Sequence, residues 1–232
     1  MSSRDRILTL GSAEPVILPS LLMCDFGNLE REIRALEDAG CQALHLDVMD
    51  GVFVPNLSYG MPIVEAIRKL TDLPLDTHLM IQDPGKYLEA FIDAGSDLIS
   101  FHAEAVADPA PLLAKLRQAN VASGLVVNPG TSLNAVSHHL DACDLLLVMS
   151  VDAGFGGQAF NPVALDKLAS VAGERREHLI LEVDGGVNLD TISECVRAGA
   201  RWLVVGSAIF RQSDYTAAIR LLQEQARLGL NA

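Results

Sequence analysis

LEREIRALEDAGCQALHLDVM, residues 29–49, holds one full copy of the pattern that decides the fold. In its first half Leu29, Ile33, Leu36 and Ala39 recur every three or four residues, the spacing of one apolar helix face. Gly40 follows as a helix stop. Residues 43–49, ALHLDVM, then form a short and mostly apolar run, as expected of a strand covered on both faces. The same Ala-Gly pair precedes a strand-like run at Ala94-Gly95 and at Ala198-Gly199.

Outward from this unit the pattern repeats along the chain. Strands are expected at 16–19, 43–49, 74–80, 98–102, 122–127, 145–150, 179–184 and 202–206. Helical spacing recurs through Ile63, Ala66, Ile67 and Leu70, through Tyr87, Leu88, Phe91 and Ile92, and through Leu112, Leu113 and Leu116. Four more helices are expected around Thr131, Leu165, Leu189 and Tyr215. Periodicity alone allows an open doubly wound sheet, but eight units with no Pro/Gly/Ser-rich linker favour a (β/α)₈ TIM barrel. At 232 residues the chain fits one such domain, 1–232, with 1–14 as a flexible N-terminal extension.

Composition narrows the function. Half the residues are hydrophobic and 5% are aromatic, which suits a Val/Ile/Leu/Ala core and excludes a disordered chain. A formal charge of −13 argues against nucleic acid and anionic membrane as partners. It leaves room for a phosphorylated substrate, because backbone N–H groups bind phosphate without basic side chains. Cys24, Cys41, Cys143 and Cys195 form no C-x-x-C pair and read as reduced thiols. With no signal-peptide core and no run of transmembrane length, the expected location is cytoplasmic.

In a barrel of this kind the chemistry sits at the C-terminal ends of the strands. The second strand ends His45-Leu46-Asp47-Val48-Met49, and alternation puts His45, Asp47 and Met49 on one face. The third places His78 and Met80 together, and the seventh carries Asp184 at its lip. Two imidazoles and two carboxylates converging on the axis form a ligand set for one divalent ion: Zn, Fe(II), Mn or Co. Glycine-rich loops form a second group: SVDAGFGGQ at 150–158, Gly185-Gly186 and Gly206-Ser207. Loops after the last strands are a frequent phosphate site, often with a short extra helix, here expected at 208–211. Almost no Lys or Arg lies in these loops, so phosphate would rest on backbone amides. Met49, Met80 and Met149 each end a strand and would line a water-poor pocket.

The segments LPSLL (18–22), HLDVMDGVFVPN (45–56), LDTHLMI (75–81), VMSVDAGFGGQAF (148–160), EVDGGVN (182–188) and VGSAIF (205–210) resemble, in order, the ribulose-phosphate 3-epimerase family. The resemblance implies a ribulose-phosphate-binding barrel that interconverts D-ribulose 5-phosphate and D-xylulose 5-phosphate, in the pentose phosphate pathway or carbon fixation. It implies metal ligands at His45, Asp47, His78 and Asp184, with Asp47 and Asp184 also the acid/base pair. It further implies substrate contacts at Ser20, His78, Gly154, Phe155, Gly156, Gly157, Gly185, Gly186, Gly206 and Ser207, and a cap of Met49, Met80 and Met149. A homo-oligomer is expected. Asp152-Ala153 stands where the family usually has Asn-Pro, and Leu22-Met23-Cys24 replaces commoner small residues. These departures keep a hexulose-6-phosphate (allulose 6-phosphate) 3-epimerase as the alternative.

Epimerisation next to a ketone removes a weakly acidic proton and returns one to the opposite face. A single base tends to return the proton where it took it, whereas two carboxylates facing each other across an enediolate held at the metal solve the problem. A barrel decarboxylase or aldolase would want a lysine at the strand ends, and none lies beside Asp47, His78 or Asp184. A binding scaffold derived from such a barrel would have little reason to keep all four ligand candidates.

Overall fold

The computed structural model describes residues 2–10 and 14–230. Eight strands form one parallel sheet: β1 (Val16–Pro19), β2 (Leu44–Met49), β3 (Leu75–Met80), β4 (Leu98–His102), β5 (Ala122–Val127), β6 (Leu145–Met149), β7 (Ile180–Asp184) and β8 (Trp202–Val205). Their order is β1-β8-β7-β6-β5-β4-β3-β2. The ring closes through one parallel bridge, Ser20 to His45. The fold is a (β/α)₈ barrel. The strands run within a residue or so of the expected bounds, losing 43, 74, 150, 179 and 206 at their ends.

Alternation along each strand builds two cores. Leu44, Leu46 and Val48 of β2, with Leu181 and Val183 of β7, face outward into the layer beneath the helices. The helices are α1 (Ser3–Thr9), α2 (Leu29–Asp38), α3 (Met61–Leu70), α4 (Pro84–Asp93), α5 (Ala110–Gln118), α6 (Val163–Gly173), α7 (Ile192–Arg197), α8 (Ser207–Phe210) and α9 (Tyr215–Leu230). In α2, Ile33 and Leu36 are buried and Glu30 and Glu32 sit in the first turn, where carboxylates offset the helix dipole. The chain leaves that helix through Gly40 at φ +81, a conformation that would strain any side chain. Inside the ring, Val16, Leu18, Leu145, Leu147, Trp202 and Val204 fill the lower barrel.

Three expectations need correction. The helix expected around Thr131 is a pair of 3₁₀ helices, Leu133–Ala135 and Ser137–Ala142. There the Ser132 side chain accepts from the Asn134 N–H, a local bond that competes with α-helical pairing. Leu189 lies in the turn before α7 rather than within it. The stretch expected to be flexible contains α1, opened by a capping box between Ser2 and Asp5. Ile7 is fully buried in the lower barrel core, and Arg4 grips Asp144 at 2.7–3.1 Å with two nitrogens. That helix stoppers the end of the barrel away from the site; residues 1 and 11–13 lie outside the described ones. Among the described residues, no helix is long and apolar enough to cross a membrane.

Candidate active site

β2 and β7 are separated around the ring by β1 and β8, so Asp47 and Asp184 reach the axis from well-separated directions. His45 and Asp47 of β2, His78 of β3 and Asp184 of β7 converge there, each offering one ligand atom within 4.8 Å of the others. Asp47 Oδ1 lies 3.4 Å from His45 Nε2 and 3.5 Å from His78 Nδ1. Those two nitrogens are buried and have no hydrogen-bond partner. Bonds of roughly 2.1 Å to one tetrahedral ion would set its ligands about 3.4 Å apart, so the spacing fits. The four residues could together hold one divalent ion.

Three of the four are held from behind. His45 Nδ1 lies 2.5 Å from Asp76 Oδ2 and 3.6 Å from Glu182 Oε1. A carboxylate only accepts, so Nδ1 carries the proton and Nε2 faces the site. His45, Asp76 and Glu182 also cluster as a possible ligand set, but 2.5 Å is a hydrogen bond with no room for an ion between. His78 Nε2 is 2.9 Å from His102 Nε2, and His102 Nδ1 is 3.3 Å from Glu104 Oε2. With the carboxylate accepting at the far end, both protons point outward along this chain and His78 Nδ1 is left bare. Ser20 Oγ donates to Asp47 Oδ2 at 2.6 Å.

Charges inside the barrel are strongly perturbed. Burial raises the Asp47 carboxyl, but the charge and hydrogen bond of His45, with His78, outweigh it and hold Asp47 far below the usual range. Asp184 is pushed up to about 7, first by burial and then by the Asp47 charge. Burial opposes a charge on His45, yet Asp76 and Asp47 raise it well above an ordinary imidazole. Burial lowers His78, and lowers His102 to about 4. Glu182, fully buried beside the charge of Asp76, is raised well above a normal carboxyl.

Above the ligands lies a cavity lined by Asp47, Asp184 and the three methionines Met49, Met80 and Met149. Its walls carry Ser20, Gly154, Phe155, Gly156 and Gly157, together with Gly185, Gly186, Gly206 and Ser207. His45 and His78 are completely buried beneath this cavity and are not part of its wall. Gly186 sits at φ +65, and a Cβ there would lie 2.5 Å from Phe160 N, so the loops after β6 and β7 touch backbone to backbone. The extra helix, α8, starts one residue earlier than expected, with Ser207 in its first position. Arg211 also reaches the region: its Nη2 lies 3.5 Å from a Cβ built on Gly157. Sequence reading missed Asp76, Glu182, His102, Glu104 and Arg211. Strand alternation could have found the first two, since Asp76 and Glu182 stand two residues before His78 and Asp184.

Residues 16–210 match the model of the ribulose-phosphate 3 epimerase family. The chain is 45% identical over 207 residues to the ribulose-phosphate 3-epimerase of Bacillus subtilis (strain 168), covering 88% of this chain and 95% of that protein. It is 38% identical over 232 residues to the chloroplastic ribulose-5-phosphate-3-epimerase of Arabidopsis thaliana, covering 98% of this chain and 83% of that one. Among solved structures, KGPDC from Streptococcus mutans superposes with a TM-score of 0.70 at 17% identity, over 92% of this chain and 97% of that one. At that identity the likeness concerns the fold alone.

Proposed function

Because this chain belongs to the ribulose-phosphate 3-epimerase family, we infer that it is a metal-dependent isomerase interconverting D-ribulose 5-phosphate and D-xylulose 5-phosphate. The observation that carries the reading is the pair of carboxyls, Asp47 and Asp184, that reach one cation site from separated strands. Their surroundings differ: His45 and His78 hold Asp47 low, whereas burial and the Asp47 charge raise Asp184 to about 7. Such a pair supplies a base and an acid on opposite sides of a substrate.

Asp47 takes the C3 proton from one face, and protonated Asp184 delivers one to the other; the reverse reaction exchanges the roles. The divalent ion, when bound by His45, Asp47, His78 and Asp184, supplies Lewis-acid stabilisation of the negative charge that develops on the substrate oxygens. Ser20 fixes the Asp47 carboxyl through its 2.6 Å bond. Met49, Met80 and Met149, all nearly inaccessible to solvent, keep water from the reacting carbon. The amides of Gly156, Gly157, Gly186 and Ser207 hold the phosphate, away from the centre of reaction, and so place C3 between the carboxyls.

The reading extends to a cytoplasmic homo-oligomer. Four unpaired cysteines accord with a reducing compartment, and exposed Val52 and Leu57 accord with a subunit contact. Sedimentation analysis checks the assembly. The central test is a coupled assay on ribulose 5-phosphate before and after chelation. Activity is expected to vanish and return with Zn²⁺, Mn²⁺, Fe²⁺ or Co²⁺, and kcat/KM is expected to favour the five-carbon sugar over hexulose 6-phosphates. Turnover by protein that elemental analysis finds free of metal, or preference for the six-carbon sugar, overturns it.

A further inference from the structure

Met23 ends the 3₁₀ helix Leu21–Met23 that follows β1, and its side chain is half-buried. It lies between two of the glycine loops. A Cβ built on Gly156 would stand 2.7 Å from Met23 Sδ, and one built on Gly206 would stand 3.1 Å from Met23 Cγ. Both positions carry no side chain, so the thioether rests on the bare backbone of the loop after β6 and of the turn that opens α8. These segments carry amides that the proposed function assigns to the phosphate.

The cavity that Met23 helps to line measures about 60 Å³. Small-molecule sites typically enclose about 300–1,000 Å³, so a five-carbon sugar phosphate needs a wall to give way. The floor is ill suited to move. Met49, Met80 and Met149 sit on strands with at most 4% exposure, and Asp47 is tied to Ser20. Met23 is a wall able to yield: it lies on a single short turn, is part-exposed, and has three rotatable bonds.

We propose that Met23 is a gate on the phosphate cradle, lying across Gly156 and Gly206 and swinging aside before a phosphomonoester dianion can dock. The assignment of the cradle rests on the function proposed above; the placement of Met23 does not. The gate makes every phosphorylated ligand work against the resting position of one side chain, and so raises KM without touching the chemical step.

The test measures inorganic phosphate binding by calorimetry on the zinc-loaded protein, alongside KM for ribulose 5-phosphate, in wild type, Met23→Ala and Met23→Leu. Met23→Ala is expected to bind phosphate about fivefold more tightly, about 1 kcal/mol, and to lower KM by a similar factor at unchanged kcat. Met23→Leu keeps the volume with fewer rotatable bonds and is expected to bind no more tightly than wild type. Phosphate binding by Met23→Ala that is weaker, or within twofold of wild type, overturns the gate and makes Met23 an ordinary wall. Failure of wild type to epimerise ribulose 5-phosphate would instead overturn the proposed function, and the phosphate titrations would still decide the gate.

Discussion

Replacing Asp76 by Asn removes the charge behind His45 while keeping the shape of the side chain. Asp76 Oδ2 lies 2.5 Å from His45 Nδ1, and both residues are fully buried, so water cannot substitute for the lost partner. Partners of this kind typically contribute about 10–100-fold to metal affinity, or about 1.4–2.7 kcal/mol. Two features bracket where this site falls. Glu182 Oε1, 3.6 Å from the same nitrogen, can take over part of the role and pull the effect toward tenfold. If the new amide turns its NH₂ toward Nδ1, the proton moves to Nε2, which blocks the ligand atom and drives the effect toward a hundredfold. The assay is zinc titration against a competing chelator, with melting curves in parallel. At a zinc concentration of 1,000 times the wild-type Kd, stabilisation by zinc is expected to fall from about 4.1 kcal/mol to about 1.4–2.7 kcal/mol. Without zinc, Asp76→Asn is expected to melt lower than wild type, since buried His45 loses the partner that supports its charge. A folded Asp76→Asn protein with a zinc Kd within twofold of wild type refutes the reasoning.

Asp47→Asn and Asp184→Asn are each expected to lower kcat by at least about 10³, within the range for general acid–base groups, while circular dichroism stays native; activity above a tenth of wild type in either removes the two-carboxyl scheme. His102 is lowered from 6.5 to about 4, so the unfolded chain binds more protons between those values and stability rises with pH across that window. Glu104, lowered from 4.5 to about 2, adds the same sign further down. Melting temperature against pH is therefore expected to climb less steeply between about 4 and 6.5 in His102→Gln than in wild type, and equal slopes would count against the His78–His102–Glu104 chain. Zinc affinity is expected to rise more than tenfold per pH unit below about pH 7 and more slowly above it; a Kd independent of pH would contradict the charges assigned to the site.

The barrel and the convergence of its four ligand candidates were legible because both follow from period. Strand residues alternate, so once LHLDVM and LDTHLM are strands, His45, Asp47 and His78 share the inner face with no further assumption. Asp76 and Glu182 obey the same parity, yet they sit deeper, where an apolar residue is the ordinary occupant. Their presence makes sense only when the nitrogen they support is known. Arg211 escaped because its guanidinium travels back past α8 to Gly157, a reach that loop composition does not encode. The helix at 1–14 escaped for a different reason. Its single buried apolar residue, Ile7, gives no periodic signal, and its main anchor is Asp144, far along the chain. Around Thr131 the apolar spacing was too thin to outweigh the Ser132 side chain, which bonds locally to the Asn134 N–H.

The distribution of protons in the barrel explains why the site needs a cation and how it can accept one. Asp47, Asp76, Glu182 and Asp184 crowd around two imidazoles, and the like charges do not relax by exposure to water. The protein's own groups settle this by holding protons: Glu182 is kept neutral, His45 is kept charged, and Asp184 retains its proton up to about 7. A divalent ion held beside Asp47 and Asp184 would offset the negative charge that these carboxylates bring to one place. The chemistry requires Asp184 to carry a proton beside that ion, and burial together with the Asp47 charge is what holds a proton on Asp184 near neutral pH.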